Sequence, residues 1–451
     1  APAACCPVLL HALFPALFSV YLNDLQAFLE ELDTKGLQSI SADLENELDV
    51  YLKIFLLLYA DDTVLLADSS TELQNMLNNF AIYCNKWQLK VNVDKTKILV
   101  FANGRLPQNL KFFINDNEIE IVKNYKYLGI FFSKSGSFLQ TRKYLRDQGI
   151  KAMYSILKKS RINNLSIECQ LDLFDKAVVP ILLYGSEIWG FENFDLLERV
   201  HLKFCKLILH LKQSTPDCIV YAELGRFPLF LYAKVRMINF WGRIINGKEC
   251  KIAHVLYKLL LINLNNYGFE SKWLIYIKNI FNNCGMSNIW NLHFADKWVS
   301  KSVEQKLKDQ FTQLCLSQIE TLPKCLCYRI FKNNLKFENY LNILPNNLLF
   351  VYCKFRCGSH RLPIETGRWR GLSRNDRLCH LCNSSEIGDE YHYIMTCKSL
   401  DLERKKFLPE YCCKNPNTYK FDSLFNSDNI IILEKLCKFI KTVQVKVSPP
   451  S

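Results

Sequence analysis

Three groupings of side chains in this 451-residue chain have types and spacings that do chemistry. The first is Asp61-Asp62, set inside the apolar run LLLYADDTVLLA at 56–67. Burying carboxylates is costly unless they are paired, hydrogen-bonded or bound to a metal. Neighbours in a regular strand point to opposite faces, whereas at a tight turn between strands both acids aim at one point. Two such charges about 5 Å apart repel by roughly 3 kcal/mol at an effective dielectric of about 20. A divalent cation removes that repulsion. Oxygen ligands suit Mg²⁺, which completes its shell with waters and substrate phosphates, and two such ions hold the attacking and leaving oxygens of a phosphoryl transfer. A plain hairpin turn also favours Asp, so the pair alone leaves both readings open.

The second grouping is Cys379-x2-Cys382-x9-His392-x4-Cys397. Zinc takes four such ligands in a tetrahedron, and three Cys plus one His leave no open position, so the ion would be structural. His380, Cys353, Cys357 and His360 lie near enough in sequence to leave the ligand choice open, and buried free thiols are the plain alternative. The third grouping is 351–377, with seven Lys/Arg against two acids and with Tyr352, Phe355 and Trp369 interleaved. Guanidinium groups fork phosphates and aromatic faces stack on bases. Arg356, Arg361, Arg368, Arg370 and Trp369 are therefore candidate nucleic-acid contacts, against the alternative of a solvated basic loop.

These groups need elements to hold them. The chain is 49% apolar and 13% aromatic, which predicts a packed core rather than disorder, and its length suggests two to four domains. Net charge is +13, yet residues 1–60 hold eight acids and two lysines. A basic body with an acidic patch fits an enzyme that handles a polyanion near metal-binding carboxylates. Nineteen cysteines, eleven of them from Cys315 onward, and no recognisable secretory leader point to reduced, intracellular thiols. The apolar stretch 8–22 contains a His and a Pro and is shorter than the roughly 18–20 residues a bilayer needs, so no membrane partner is expected.

Residues 13–30 read as helix, and the aspartates as strand–turn–strand. Leu73, Met76, Leu77 and Phe80 fall at i, i+3, i+4, i+7, which predicts an amphipathic helix over 71–89 with Thr71 as N-cap. Residues 89–101 read as a strand pair interrupted at Asp94–Lys95, and 117–136 as two further strands ending at Ser135–Gly136. Helix dominates from 138 to 345, and the last hundred residues or so are basic, cysteine-rich and short of regular periodicity.

The flanks of the aspartates carry a likeness. Tyr59-Ala60-Asp61-Asp62 resembles the catalytic hairpin of reverse transcriptases, in particular those of non-LTR (LINE-like) retrotransposons. Pro15–Ser19 and Tyr21–Leu25 resemble the end of that family's template- and nucleotide-contacting helix. Leu89–Asn92 and Lys95–Lys97 resemble the strand segment after the palm helix, Tyr125–Gly129 the primer-grip segment, and Leu183–Gly190 the thumb. The Cys/His element resembles the family's C-terminal zinc knuckle.

The resemblance implies an α+β fold: a partial polymerase palm with the YADD β-hairpin at 1–137, a thumb at 138–215, a helical linker at 216–345, and a basic, zinc-binding C-terminal region at 346–451. It implies Asp61 and Asp62 as catalytic Mg²⁺ ligands, and Tyr127, Leu128 and Gly129 as supports of the primer end. Lys95 would approach the incoming triphosphate, or else is a solvated turn lysine. RNA template, DNA primer and deoxynucleoside triphosphates are the implied partners, and the nucleus the implied compartment. The family pattern also holds a further aspartate on an earlier strand, and Gln-Gly roughly where Leu9 and Leu10 stand here. The chain is therefore expected to be a fragment without fingers, its two-metal site incomplete and its polymerisation poor. The rival is a non-catalytic nucleic-acid-binding relic; a group II intron or telomerase-like polymerase ranks lower, because the knuckle and LYGSEIWG point to LINE-like elements.

Overall fold

The computed structural model describes residues 21–43, 48–54, 56–59, 62–101, 110–247, 252–268, 271–382 and 384–447. The chain divides into two compact units, one of residues 1–141, 240–282 and 286–295, the other of 142–239, 283–285 and 296–451.

In the first unit, Leu22, Leu25 and Leu29 recur at helical spacing, and helix α1 (Leu25–Glu31) buries the last two of them. Strands β1 (Leu37–Asp43) and β2 (Leu48–Ile54) pair antiparallel, as do β3 (Leu56–Tyr59) and β4 (Asp62–Leu65), with Tyr59 opposite Asp62. Helix α2 (Ser70–Lys86) follows. Its N-cap is Ser69 rather than the expected Thr71. Ser69 has the extended backbone a cap requires, and its hydroxyl accepts from the Glu72 amide at 3.1 Å. Thr71 already lies inside the first turn.

The apolar face of α2 is wide enough to serve two clusters. Met76 and Tyr83 pack with Leu22, Leu25 and Leu29, while Leu77 and Ala81 pack with Ile98, Phe112, Ile114 and Ile119. Leu65 and Phe80 touch both clusters, and Leu56 touches the first, so the β3–β4 pair is seated on α2 by its far ends. Tyr83 donates to Asp24 at 2.5 Å, which ties the Tyr21–Leu25 motif to the same helix.

Short strands complete this unit: β5 (Ile98–Leu99), β6 (Phe112–Ile114), β7 (Asn117–Ile119), β8 (Ile121–Val122), β9 (Asn124–Tyr127) and β10 (Ile130–Ser133). All sheets are two-stranded among the described residues; β5 runs parallel to β8, and β6–β7 and β9–β10 are antiparallel. The strand pair expected over 89–101 is reduced to β5. Asn92 turns the chain instead, its carbonyl accepting from the Lys95 and Thr96 amides and its side chain also accepting from Lys95. Within 240–295, Trp241 is fully buried, its ring 4.9 Å from Phe281 and its Nε1 donating to the Tyr257 hydroxyl at 3.0 Å.

The second unit is helical. Helices α3 (Asp195–Ile208), α4 (Asp217–Leu224), α5 (Asn346–Arg356), α6 (Pro363–Trp369) and α7 (Ile430–Val447) carry the features used below. Phe204 of α3 stacks on Phe174 at 4.3 Å, and Trp189 stacks on Phe194 at 5.4 Å. Gly190, the last residue of LYGSEIWG, has no room for a side chain: a Cβ there would lie 2.3 Å from the Ser186 carbonyl. The C-terminal stretch is more regular than its composition suggests, because Leu433, Leu436, Cys437, Ile440 and Val443 line one buried face of α7. Among the described residues no helix is long and apolar enough to cross a membrane.

Candidate active site and metal centre

Asp61 lies outside the described residues, as do Ala60 and Pro15–Ser19. Asp62 opens β4 with an exposed side chain that pairs with no Lys or Arg among the described residues. It lies close to Tyr127, whose phenol is held above its ordinary pKa by burial and then by the charge of Asp62. Tyr125 and Tyr127 stand two apart on β9 and so share a face. Tyr125 donates to the Lys95 carbonyl at 3.4 Å. One face of β9 thus gathers Asp62 and the exposed Lys95 turn.

Tyr127 pairs with Ile130 across a two-residue turn formed by Leu128 at φ 46° and Gly129 at φ 83°. Positive φ at both central positions is the hairpin turn whose twist matches its strands, and it favours Asn or Gly. Leucine at the first position is strained, and such strain gathers where a backbone is held for function. Gly129→Ala is expected to lower stability by about 1 kcal/mol or more, because alanine cannot take that φ freely. Leu128→Asn, which tolerates left-handed backbone, should raise it. Denaturant midpoints for the two variants check both signs.

The second constellation is assembled. One ligand atom from each of Cys379, Cys382, His392 and Cys397 lies within 4.8 Å of the others. A tetrahedral ion about 2.3 Å from each sulfur sets sulfurs roughly 3.8 Å apart. The sulfurs of Cys379 and Cys397 stand 3.9 Å apart, and Cys382 Sγ is 3.3 Å from His392 Nε2. The donor set and its spacing therefore fit a metal ion.

Local structure explains the convergence. Leu378 and Ile387 form an antiparallel bridge, and the Cys379 amide donates to the Glu386 carbonyl at 2.8 Å, closing the loop that presents Cys379 and Cys382. His392 begins a π-type turn, His392–Thr396, whose first amide donates to Asp389 at 2.9 Å. Single π turns of this kind are common at functional sites. Burial opposes ionisation of Cys382, yet hydrogen bonds from Ser384 and Cys379 hold its thiol at about 6; Cys397, buried beside the charge of Cys379, is pushed up to about 12.

Glu386 is a candidate supporting residue of this cluster that sequence reasoning missed. Its carboxylate lies 2.5 Å from His392 Nδ1. That contact fixes the proton on Nδ1 and leaves Nε2 as the electron-pair donor facing Cys382, the usual carboxylate–histidine support of a metal ligand. An acid midway between the second Cys and the His was the available signal. His380, Cys353, Cys357 and His360 stand outside the cluster: His360 Nε2 is 2.7 Å from Glu390, and Cys353 and Cys357 are buried on and just after α5.

The basic segment divides. Arg356 is corrected from a phosphate contact to a core residue: it is 2% exposed and bound to Glu223 at 2.9 Å, Glu338 at 3.0 Å and the Phe425 carbonyl at 2.9 Å. Its guanidinium has no face left for a ligand. Arg361 and Arg370 are exposed, Arg368 is half-buried against Glu365 at 3.2 Å, and Trp369 is 52% exposed. The Ile364 amide donates to the Gly388 carbonyl at 3.1 Å and Arg377 reaches the Ile364 carbonyl at 3.2 Å, so α6 is joined to the Cys/His loop and carries Arg368 beside it.

Residues 13–132 match the family described as reverse transcriptase (RNA-dependent DNA polymerase). Over 187 residues, 40% of this chain, the sequence is 30% identical to a transposon-derived protein of Caenorhabditis elegans, covering 65% of it. It is 24% identical over 206 residues to the RNA-directed DNA polymerase from mobile element jockey of Drosophila melanogaster, covering 43% of this chain and 20% of that protein. It is also 30% identical over 224 residues to the retrovirus-related Pol polyprotein from type-1 retrotransposable element R2 of Popillia japonica, covering 47% of this chain and 29% of the relative. The matched stretches span less than two thirds of each of these relatives.

Proposed function

We propose that this chain belongs to the reverse transcriptases of non-LTR retrotransposons and is part of an RNA-directed DNA polymerase that extends a DNA primer 3′-OH on an RNA template. The observation that carries the reading is the family match across 13–132, which contains Asp61-Asp62, Lys95 and Tyr127–Gly129. Asp62 is exposed and free of cationic partners among the described residues, as a metal ligand must be before its ion arrives.

Asp61 and Asp62 would hold Mg²⁺, which supplies positive charge to the attacking and leaving oxygens of nucleotidyl transfer. The chain's own residues do the positioning. The left-handed turn Leu128–Gly129 offers backbone to the primer end, and Tyr127, pressed by Asp62, aligns that turn with Asp62. Lys95, exposed on the Asn92 turn, reaches toward the triphosphate. The four-part reading stands with it: palm at 1–137, thumb at 138–215, helical linker at 216–345, and a C-terminal region at 346–451 in which Cys379, Cys382, His392 and Cys397 take a structural Zn²⁺. Arg361, Arg368, Arg370 and Trp369 form the nucleic-acid face beside it.

The test is primer extension on a DNA-primed RNA template with Mg²⁺ and deoxynucleoside triphosphates, alongside template-primer binding. The expected result is binding with weak extension that disappears in the Asp61→Ala, Asp62→Ala double variant. Extension that survives the double variant, or no affinity for the template-primer, would overturn the reading.

A further inference from the structure

His210, Lys212, Lys354, Ser359, Arg361 and Val447 help line a pocket of about 370 Å³ in the second unit. Ligand pockets run from about 300 to 1,000 Å³, so a sugar-phosphate unit fits this one. Three helix ends meet there: the residues just beyond α3, the last turn of α5 and the last turn of α7. Cations at helix C-termini often do no more than offset the dipole. Each helix end carries only about half a negative charge, so three of them leave a clear positive surplus beside Lys212, Lys354 and Arg361.

Protein acids do not remove that surplus. Lys354 and Arg361 form no ion pair with a carboxylate among the described residues. The acid that acts on Lys212 is Glu365, which is buried and already engaged by Lys324 at 3.8 Å and Arg368 at 3.2 Å. Lys212 donates instead to the His360 carbonyl at 3.0 Å, and its ammonium is held below its ordinary pKa by burial and by Lys324, Arg361 and Lys354, with Glu365 acting against them.

The site is also preorganised. His210 takes a left-handed backbone, φ 55°, at a helix end where glycine is the usual occupant. Its ring lies 3.8 Å from that of Phe350, which fixes the imidazole at the pocket wall. Lys212 Nζ stands 3.9 Å from the centre of the Trp369 ring, so an exposed indole adjoins the cationic pocket.

We propose that this pocket takes a phosphodiester group of single-stranded RNA, with a neighbouring base against Trp369. Three cations and an imidazole suit a tetrahedral oxyanion with several acceptor oxygens, and base–aromatic stacking is tolerant of sequence. The assignment rests on the nucleic-acid reading above and goes further, naming the group bound and the residues that bind it.

The experiment uses the full chain and a fluorescein-labelled twelve-nucleotide oligouridylate, read by anisotropy across a salt series. In the Lys354→Gln, Arg361→Gln double variant, affinity should fall about tenfold or more. Its log–log salt dependence should become shallower by roughly 1.4, two lost contacts on a single strand. The Lys435→Gln, Lys438→Gln variant removes the same charge from the exposed side of α7 and should change affinity less than about twofold. Retained zinc and an unchanged circular dichroism spectrum certify folding; a pocket variant that fails them is replaced by Lys354→Arg with Arg361→Lys, which should fold and keep most of the affinity. Trp369→Leu should weaken oligouridylate while leaving competition by inorganic phosphate unaltered. Equal losses in the pocket and control doubles would overturn the pocket alone, and no binding by the unaltered chain would overturn the nucleic-acid reading with it. Inorganic phosphate that competes as strongly as the oligonucleotide would assign the pocket to the free anion instead.

Discussion

Arg356→Ala should destabilise the second unit by about 3–5 kcal/mol, the cost of stranding one member of a buried ion pair. Arg356 and Glu223 are both fully buried as side chains. Tyr328 and Tyr340 also donate to Glu223, at 2.8 and 2.6 Å, so its carboxylate sits at a junction of α4, α5 and the segment between them. Deleting the guanidinium leaves that charge without its main partner. Arg356→Met combined with Glu223→Leu removes both charges and should recover most of the loss. Burial disfavours ionised Glu223, but Arg356 and Lys332 hold its carboxyl below the usual value. A depressed carboxyl stabilises the fold above the ordinary glutamate pKa of about 4.3, and that stabilisation fades as pH falls from there toward the depressed value. Urea midpoints followed by tryptophan fluorescence between neutral pH and pH 3 or so check both effects. An Arg356→Ala midpoint equal to that of the parent chain would show that the cage is not structural.

The second large effect is expected from the Cys/His cluster. The chain should bind one zinc, and Cys382→Ser or a chelator should remove it with loss of structure around 378–397. Binding free energies of structural zinc run to about 10–16 kcal/mol near neutral pH, so the drop in thermal stability should be large. Glu386→Ala should keep the one-to-one stoichiometry at tenfold to a hundredfold weaker affinity, since Glu386 orients His392 rather than touching the ion. Cys357→Ser should leave zinc content unchanged, because Cys357 lies outside the cluster. Acid should release the metal as protons compete with it for the three thiolates and the imidazole. Zinc content by elemental analysis, with melting curves beside it, reads all four outcomes. Full zinc occupancy in Cys382→Ser would assign the thiols to the core alone.

What the sequence made legible was local. The Cys-x2-Cys, His and Cys spacing found the cluster, because a loop and a turn close over few residues. The spacing of Leu73, Met76, Leu77 and Phe80 found α2, whose face is set by its own periodicity. The strand pairings were not legible: β5 and β8 are two residues each and pair across a long connection, and nothing in either dipeptide names the other. Arg356 was misread for a related reason. Charge and neighbouring aromatics suggested an exposed grip, but Leu349, Tyr352 and Arg356 fall on one helical stripe that is buried. The partner that makes burial tolerable, Glu223, lies 133 residues away. The Ser69 cap was a smaller case, where two adjacent serines and a threonine all suited the role and backbone shape decided.

The Glu223–Arg356 cage also sets a timetable for the nascent chain. Glu223 leaves the ribosome 133 residues before its partner. At about 5–20 residues per second that interval is roughly 7 to 27 s. Phe425, whose carbonyl closes the cage around Arg356, comes later still. Until then the interior that will enclose Glu223 holds an acid without the guanidinium that bonds it, so the helices around it gain by staying open to water. The second unit therefore completes its core only after Phe425 has emerged, while α1, α2 and β3–β4 of the first unit have all they need for their shared apolar clusters once Ile121 has emerged. Birth order along this polypeptide is written into the distance between one glutamate and one arginine.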